Sequence, residues 1–303
     1  MADVVAVGSA LLDRVYALSN LPEPDGGAFA RESTERAGGV AANVACALAA
    51  LDHDASVVSR IGNDDAGDTV LESLTDWGVD ASGVRRGDDD TSYTLVLRGP
   101  DGDRMIVAGG DSVPGLALTD ADRESLRDAD CVFTSAYAPD AVVRELVDMR
   151  EDGDISALAF DLAGPLPELE GRGSTPETID AAAETADLFV ANEVAARSYL
   201  DTDPETAASE LAARGADRVA VTVGADGAFL ATQEETVHVP ALDVETVDAT
   251  GAGDAFTAAL VHVWVLGGEN PETAGRTAVT AAAQNCTAEG ARGALPTRDD
   301  LPD

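Results

Sequence analysis

The chain has 303 residues, of which 45% are hydrophobic, and 57 acidic residues against 19 basic ones give it a net charge of −38. That hydrophobic fraction is normal for a globular core, so the composition excludes a disordered chain in spite of the charge. Every basic residue is an arginine, which excludes a lysine-cradled phosphate loop, a lysine Schiff base and a lysine general base. The sequence has no basic stripe to neutralise nucleic-acid phosphates, and we therefore expect no nucleic-acid partner.

The acidic residues are spread along the chain rather than massed in one block. Such a surface repels itself in dilute buffer, whereas molar salt shortens the Debye length to about 3 Å and screens the repulsion. The composition thus predicts a protein from a halophilic, salt-accumulating organism. The first residues lack the basic segment of a signal peptide, and the longest apolar run, at 255–266, is too short and too polar to span a bilayer. We expect a cytoplasmic protein with no membrane partner.

Short β-branched runs alternate with alanine-rich helical stretches along most of the chain. The predicted order is a strand at Val4–Val7, a helix ending near Leu51, a strand at 56–59, a helix at 66–77, a strand at 131–134, a helix at 140–150, a strand at 157–161, a helix near 177–185, a strand at 188–190, helices near 193–200 and 204–214, and strands near 218–222 and 228–231. This alternation predicts an α/β fold with a mostly parallel sheet and helices on both faces. No linker or internal repeat interrupts it, so the sequence predicts a single domain over residues 1–303.

A glycine-rich turn lies near the C-terminus, where Asp-x-x-Gly-Ala-Gly-Asp at 248–254 runs into an apolar stretch. The backbone N–H groups of Gly251, Ala252 and Gly253 can point the same way there, and the positive end of the helix dipole adds to their field. The turn therefore predicts a site for a phosphoryl group. Asp254, in the first helical turn, is placed to take the proton of a substrate hydroxyl as phosphorus is attacked. An ordinary helix start with an aspartate in its first turn would give the same pattern.

A second glycine pair, Gly38 and Gly39, precedes Asn43 and Ala45 in the pattern Gly-Gly-x-x-x-Asn-x-Ala and leads into a helical run. Together with the 248–254 turn, about 200 residues further on, this pattern resembles the two signatures of the ribokinase-like (PfkB) carbohydrate kinases. The resemblance implies a three-layer α/β/α fold with a mostly parallel central sheet and a small β-sheet lid. It also implies transfer of the γ-phosphoryl group of ATP, with Mg²⁺, to a primary alcohol of a sugar.

Further matches to the family fall in order along the chain. Asp13 follows the first strand, and the resemblance implies that it lines the sugar pocket with Gly38, Gly39 and Asn43. The residues implied on the nucleotide side are Asn192, Thr222, Gly224, Gly227 and Asn285. The family's Asn-x-x-Glu pattern is broken, because Ala195 stands where the glutamate is usual. The predicted substitute is Glu193, acting on Mg²⁺ from a shifted geometry or through water, or another acid that holds the metal through water, since magnesium keeps much of its hydration shell.

Two stretches, 14–37 and 91–108, contain strand-like pieces without alternating helices. By the resemblance, segments near 12–37 and 91–112 form a lid that excludes water from the reaction, and in some relatives this lid also makes a homodimer contact. Arg104 matches the region where relatives acting on phosphorylated or acidic sugars place a cation. An exposed arginine paired with a neighbouring acid is the other interpretation. Asp248 and Thr250 match positions beside a monovalent-cation site, which predicts activation by K⁺.

The sequence therefore predicts an ATP-dependent sugar kinase in which Asp254 is the general base and the amides of 251–253 stabilise the phosphoryl oxygens. The acceptor stays open among ribose, ribose 1-phosphate, a ketohexose phosphate and a keto-deoxy sugar acid. A nucleoside kinase of the same family is the alternative, with Phe29, Tyr93 or Tyr137 stacking on the base. A non-catalytic, sugar- or nucleotide-sensing relative is a third interpretation, and Ala195 is the one residue in its favour.

Overall fold

The computed structural model describes residues 3–101 and 103–302. Its strands form two β-sheets. The strands are β1 (Val4–Val7), β2 (Leu11–Leu18), β3 (Ala30–Gly38), β4 (Ala55–Gly62), β5 (Val84–Gly87), β6 (Tyr93–Arg98), β7 (Arg104–Gly109), β8 (Cys131–Ser135), β9 (Leu158–Asp161), β10 (Leu188–Asn192), β11 (Val219–Thr222), β12 (Ala228–Ala231) and β13 (Thr236–Val239). The helices are α1 (Val40–Ala50), α2 (Asp65–Asp76), α3 (Asp120–Asp128), α4 (Asp140–Glu151), α5 (Leu166–Leu169), α6 (Pro176–Thr185), α7 (Glu193–Leu200), α8 (Pro204–Arg214), α9 (Ala252–Leu260) and α10 (Pro271–Asn285). Single 3₁₀ turns lie at Gly224–Asp226 and Arg298–Asp300, and α9 continues as a π-helix at Val261–Leu266.

The larger sheet has nine strands in the order β13-β12-β11-β10-β9-β8-β1-β4-β5. Its neighbouring strands run parallel from β5 to β11, and β12 and β13 complete the edge in antiparallel pairing. In β1, Val4 and Ala6 pack into the core on one face of the sheet, whereas Val5 and Val7 pack into the core on the other. A parallel strand that is apolar on both sides needs a helical layer against each face.

Helices supply both layers. On one face, α1, α2, α9 and α10 share a core that includes the buried Trp264. On the other face, buried side chains of α3, α4, α6, α7 and α8 form the second core. The mostly parallel sheet between two helical layers confirms the predicted α/β/α fold. No helix within the described ranges is long and apolar enough to cross a bilayer.

The smaller sheet has the strand order β3-β2-β6-β7 and comes from the two stretches that lack alternating helices. Side chains alternate between the two sides of each strand. Asp13, Thr94 and Ile106 lie on the inner side, which covers a cavity. Met105 and Val107 lie on the outer side of β7 and are 48% and 54% exposed. The small sheet is therefore the lid that the family resemblance implied.

The prediction from sequence lacks α3, α5, α10, β5 and β13. Helix α3 is a charged segment of nine residues that begins with a capping box between Thr119 and Asp122. Leu126 is its one buried apolar residue. A helix with a single buried apolar residue shows almost no hydrophobic periodicity, so it cannot be recognised from the pattern of its apolar residues.

Most arginines are already engaged by carboxylates. Among the residues that the structure describes, thirteen of the 19 arginines form ion pairs, whereas the chain has 57 acidic residues. The chain therefore carries a large surplus of carboxylates that no arginine can neutralise. That surplus acts against the folded state wherever salt does not screen it.

We expect the melting temperature to be higher in about 2 M KCl than in about 0.1 M KCl, because the shorter Debye length weakens repulsion among the surplus carboxylates. Circular dichroism during heating measures the shift. A parallel series in sucrose serves as the control, since sucrose stabilises by exclusion without screening charge. A melting temperature that is flat or falls with KCl would contradict the expectation.

Candidate active site

Two cavities open at the carboxyl edge of the parallel strands, and both reach the segment 248–254. The larger, of about 520 Å³, lies under the inner face of the small sheet. The smaller, of about 160 Å³, is lined by Asp161, Asn192 and Thr222, which end β9, β10 and β11. Ligands of open α/β sheets bind outside the carboxyl ends of the strands. Two adjoining cavities at this edge suit a reaction between two substrates.

The turn before α9 is shaped by Gly251, the N-cap of that helix. Gly251 has a φ of 75°, and a Cβ there would lie 2.1 Å from the carbonyl oxygen of Ala291. Only glycine accepts both this conformation and this approach. Gly251 and Gly253 line the smaller cavity, and the N–H of Ala252 makes only a long bond of 3.3 Å to the carbonyl of Ala249. The first N–H groups of a helix lack partners within it, so this turn is suited to an anion.

Asp254 joins the two glycine signatures. Its Oδ2 accepts a hydrogen bond of 2.7 Å from Nδ2 of Asn43, which comes from the first turn of α1. The pKa of Asp254 is raised to about 7, first by burial and also by the Asp13 carboxylate, against the lowering effects of the Asn43 bond and the Arg292 guanidinium. A carboxylate that titrates near neutrality is matched to general-base chemistry.

Asp161 is a second buried carboxylate in the smaller cavity, and the sequence prediction missed its role. It is 7% exposed and accepts a hydrogen bond of 2.8 Å from the backbone N–H of Ala163. Its pKa is raised to about 7, chiefly by burial and also by the negative charge of Asp254. The strand ending in Asp161 was predicted, and a carboxylate at the end of a parallel strand was the signal that could have found it.

Asp13 reaches the larger cavity from β2. A Cβ on Gly38 would lie 2.0 Å from the Asp13 Oδ2, so Gly38 leaves the space that this carboxylate fills. Gly39 has a φ of 99° and approaches the carbonyl of Ser9. Oδ1 of Asp13 accepts a short hydrogen bond from the hydroxyl of Thr94, and burial raises the pKa of Asp13. The glycine pair therefore shapes the pocket, while Asp13 faces into it.

Charged side chains of both signs line the larger cavity. Four are arginines and four are acids: Arg36, Arg98, Arg104, Arg292, Asp13, Glu32, Asp248 and Glu289. Arg104 was predicted here, whereas Arg36, Arg98 and Arg292 were not. Arg36 and Arg98 come from the small sheet, as Arg104 does, and Arg292 comes from the loop after α10. Their convergence depends on the tertiary fold, so no local pattern reveals it.

Two predicted site residues, Glu193 and Asn285, bond to other parts of the protein and line neither cavity. Glu193 accepts a hydrogen bond of 2.6 Å from Arg197 one turn along α7, and it is not among the residues that line either cavity. Asn285 is fully buried, and its Nδ2 donates to the carbonyls of Thr250 and Ala291. Asn285 thus braces the wall behind the turn. Its approach to a nucleotide, and that of Glu193 to a metal, stay predictions.

On the predicted nucleotide side, Asn192 and Thr222 line the smaller cavity. Asn192 also caps α7 by accepting from the N–H of Ala195. Gly224 and Gly227 lie in the turn after β11, with φ values of 59° and 95°, and are not among the residues that line this cavity.

The carboxylate of Asp248, which was predicted with Thr250 to lie beside a monovalent cation, already has several partners within the protein. Its carboxylate accepts from the N–H and hydroxyl of Thr250 and from the N–H of Gly290, and it pairs with Arg98 at 3.3 Å. These contacts hold the pKa of Asp248 low, at about 2, in spite of its burial. In the described part of the chain, no group of three or more His, Cys, Asp or Glu side chains is arranged to hold a metal ion.

The aromatic residues expected to stack on a base lie away from the larger cavity. Phe29 is 84% exposed, Tyr93 packs under the guanidinium of Arg14 at 4.8 Å, and Tyr137 borders the smaller cavity. Trp77, which follows α2, is the aromatic residue that lines the larger cavity in the described part of the chain.

Comparison with known proteins identifies the family. Residues 1–298 match the sequence pattern of the pfkB family carbohydrate kinases. The chain belongs to this family. It is a PfkB sugar kinase, and the match extends over almost its whole length.

Individual relatives agree with this assignment. The chain is 33% identical over 303 residues to an ATP-dependent ribose-1-phosphate kinase of Halopiger xanaduensis, with 99% of this chain and 96% of the relative covered. It is 29% identical over 305 residues to a ribokinase of Bacillus subtilis, covering 99% and 98% of the two chains. Among solved structures, an Arabidopsis thaliana ribokinase complexed with ribose and ATP is similar, with a TM-score of 0.80, 25% identity and coverage of 100% and 96%.

The two glycines of the PfkB turn give a matched pair of variants. Gly251→Ala places a methyl group 2.1 Å from the Ala291 carbonyl at a positive φ, so we expect a loss of stability of about 1–3 kcal/mol and a loss of activity. Gly253→Ala meets no atom within 4 Å, so we expect an unchanged melting temperature. Because Gly253 lines the smaller cavity, the added methyl group would disturb the placement of a ligand there. We therefore expect a fall in kcat of about tenfold or more.

Thermal unfolding and steady-state kinetics of both variants, beside the parent, measure these outcomes. If Gly253→Ala keeps full activity, the amide turn is not the phosphoryl site. If Gly251→Ala melts at the parent temperature, the contact with Ala291 does not constrain the turn.

Proposed function

We propose that the protein transfers the γ-phosphoryl group of ATP to a primary hydroxyl of a sugar or sugar phosphate. The observation that carries this proposal is the position of Asp254, which lines the smaller cavity and is held by Asn43, the residue that also accepts from Arg292 of the larger cavity. In this arrangement the acceptor hydroxyl lies in the larger cavity and the phosphoryl group lies in the smaller one.

Asp254 acts as the general base in this proposal. It takes the proton of the acceptor hydroxyl as the new oxygen–phosphorus bond forms, and the bond from the γ-phosphorus to ADP breaks. The amides of Gly251, Ala252 and Gly253 stabilise the charge on the transferring phosphoryl oxygens. Asp13 orients the acceptor in the larger cavity, Asn43 positions Asp254, and Asn192 and Thr222 stand on the donor side.

We assign the Mg²⁺ of this reaction to Asp161. Its carboxylate is buried in the smaller cavity and pairs with no arginine among the described residues, which suits a cation that needs one or two carboxylates and keeps its waters. Glu193, the residue expected from sequence, is engaged with Arg197 instead. When bound, the metal neutralises the negative charge of the phosphates.

A nucleoside kinase is the second candidate, and Trp77 is the observation in its favour, since an indole ring in the larger cavity offers a surface for a base. The charged lining of that cavity favours the sugar phosphate. A non-catalytic sensor has less support, because Asp254 and the amide turn are both in place.

Asp254→Asn removes the base while keeping the shape of the side chain. We expect kcat to fall by about 10²–10⁴-fold with ATP binding retained. Steady-state kinetics together with calorimetric titration of ATP separate the two effects, and a variant as active as the parent would remove Asp254 from the mechanism.

The same variant also tests the raised pKa of Asp254. The unfolded carboxyl loses its proton near about pH 4, whereas the native one does so at about 7, so the stability that this group gives falls as pH rises through that window. Asp254→Asn lacks this loss. We therefore expect its melting temperature, relative to the parent, to rise from about pH 5 to about pH 8. A constant difference would mean that the carboxyl is not held protonated.

The acceptor is tested by ADP release from ATP and Mg²⁺ in about 2–3 M KCl, where the acidic surface is screened. The panel contains ribose, ribose 1-phosphate, fructose phosphates, keto-deoxygluconate and nucleosides. We expect turnover of a sugar phosphate, with ribose 1-phosphate first because of the name of the Halopiger relative. Fast turnover of nucleosides alone would support the second candidate.

The same assay in tetramethylammonium chloride at equal ionic strength tests the predicted K⁺ activation at Asp248 and Thr250. Equal turnover in the two salts would remove it.

A further inference from the structure

Arg292 is held in an unusual way at the bottom of the larger cavity. Its Nε donates to Oδ1 of Asn43 at 2.8 Å, and its Nη1 donates to the hydroxyl of Ser73 at 3.0 Å. Its Nη2 is shielded from solvent and has no hydrogen-bond partner among the described residues. A buried charged donor without an acceptor is costly, so a small movement of the guanidinium that brings this nitrogen to a ligand acceptor in the cavity would be favourable.

The other arginines of the cavity differ from it. Arg36 pairs with Glu289 at 2.7 Å, and Arg98 pairs with Asp248 at 3.3 Å. Arg104 is exposed on β7, at the mouth of the cavity. Arg292 has no carboxylate within ion-pair distance in the described ranges, although the chain holds 57 acids against 19 arginines. Asp13 and Asp254 act on its charge from beyond ion-pair distance. In so acidic a chain, an arginine that lines a cavity with no ion-pair partner of its own points to an anion from outside.

The charge of the cavity agrees with this. Its lining holds four arginines and four acids, whereas the whole chain has three acidic residues for each basic one. Two of those arginines are neutralised within the lining itself, by Glu289 and Asp248. Arg292 is the deep cation that stays available, and Arg104 is the one at the entrance.

The place of Arg292 limits the size of the ligand. Asn43 accepts from Arg292 through Oδ1 and donates to Asp254 through Nδ2, so one side-chain amide separates the guanidinium from the carboxylate. An acceptor that places a hydroxyl at Asp254 and an anion at Arg292 is therefore short, of the size of one sugar ring.

We propose that Arg292 binds the phosphate of a phosphorylated pentose acceptor and is the residue that selects it over the neutral sugar. This inference rests on the proposed function. A neutral pentose in the same cavity leaves Nη2 without an acceptor, and a site built to bind a polar group rejects the analogue that lacks it. Arg104 provides a second, accessory positive charge at the entrance of the larger cavity.

Arg292→Gln and Arg292→Lys test the assignment, with ribose 1-phosphate and ribose as the paired acceptors. For Arg292→Gln we expect kcat/KM for ribose 1-phosphate to fall by about 10–10²-fold, mostly through KM, with that for ribose changed much less. Arg292→Lys keeps the charge but loses the planar fork, so we expect partial recovery for ribose 1-phosphate. Arg127→Gln, which breaks a surface pair with Asp154, is the matched control and should leave both acceptors unchanged.

Equal losses on both acceptors would overturn the proposal, because they would indicate that Arg292 only holds Asn43. A parent enzyme that prefers ribose to ribose 1-phosphate would overturn it as well, and so would a selective loss in Arg104→Gln with none in Arg292→Gln. Melting temperatures of all variants show whether each one is folded.

Binding without turnover keeps this test separate from the proposed function. Calorimetric titration of ribose 1-phosphate into Asp254→Asn, and into the double variant with Arg292→Gln, should show binding that weakens about 10–10²-fold in the double variant. Equal binding by the two proteins would refute the role of Arg292 even if the kinase reaction is established. Weakened binding would support it even if no panel member is turned over.

Discussion

The hydrogen bond between Asn43 and Asp254 is the contact on which the site depends. It joins residues 211 positions apart and holds the starts of α1 and α9 at one point. Both helices begin at a glycine with a positive φ, Gly39 and Gly251, so both N-terminal ends turn toward the same carboxylate. The first N–H groups of α1 bond to Ser9, whereas the start of α9 lines the smaller cavity, where the proposed mechanism puts the phosphoryl group.

Burial sets the chemistry around that contact. Asp13, Asp161 and Asp254 all have raised pKa values, with desolvation as the first cause at each. Asp248 shows the opposite behaviour, because three hydrogen bonds and Arg98 stabilise its charge. Asp161 and Asp254, whose pKa values are raised to about 7, can therefore exchange protons near neutrality, whereas Asp248 stays ionised.

The fold follows from the sequence where local signals are strong. The predicted bounds of α7 and α8 match the structure, since side-chain caps at Asn192 and Asp203 mark their starts. The strands of the larger sheet are recognisable as short apolar runs, because both of their faces are buried. Helix α3 gave no such signal, for its apolar surface is a single leucine.

The residues of the site also fall into those that the sequence reveals and those that it does not. Asn43, Asp254 and the glycines lie within short motifs, so their spacing can be read directly from the sequence. Arg292 and Asp161 come from separate loops and strand ends, and only the tertiary fold brings them to the cavities. Asn285, predicted on the nucleotide side from its position alone, is buried and bonds to backbone carbonyls of the turn and of the loop after α10.

The loop at 289–292 lies between the turn before α9 and the larger cavity. The carbonyl of Ala291 presses against Gly251 and accepts from Asn285, while its neighbours Gly290 and Arg292 form the wall of the larger cavity. A change in this loop would disturb the turn before α9 together with the larger cavity. The inner face of the small sheet is tied to the same two segments, through the pairs Arg36–Glu289 and Arg98–Asp248. Acceptor preference and turnover are therefore expected to be coupled, so that a substitution in this loop which alters the one also costs some of the other.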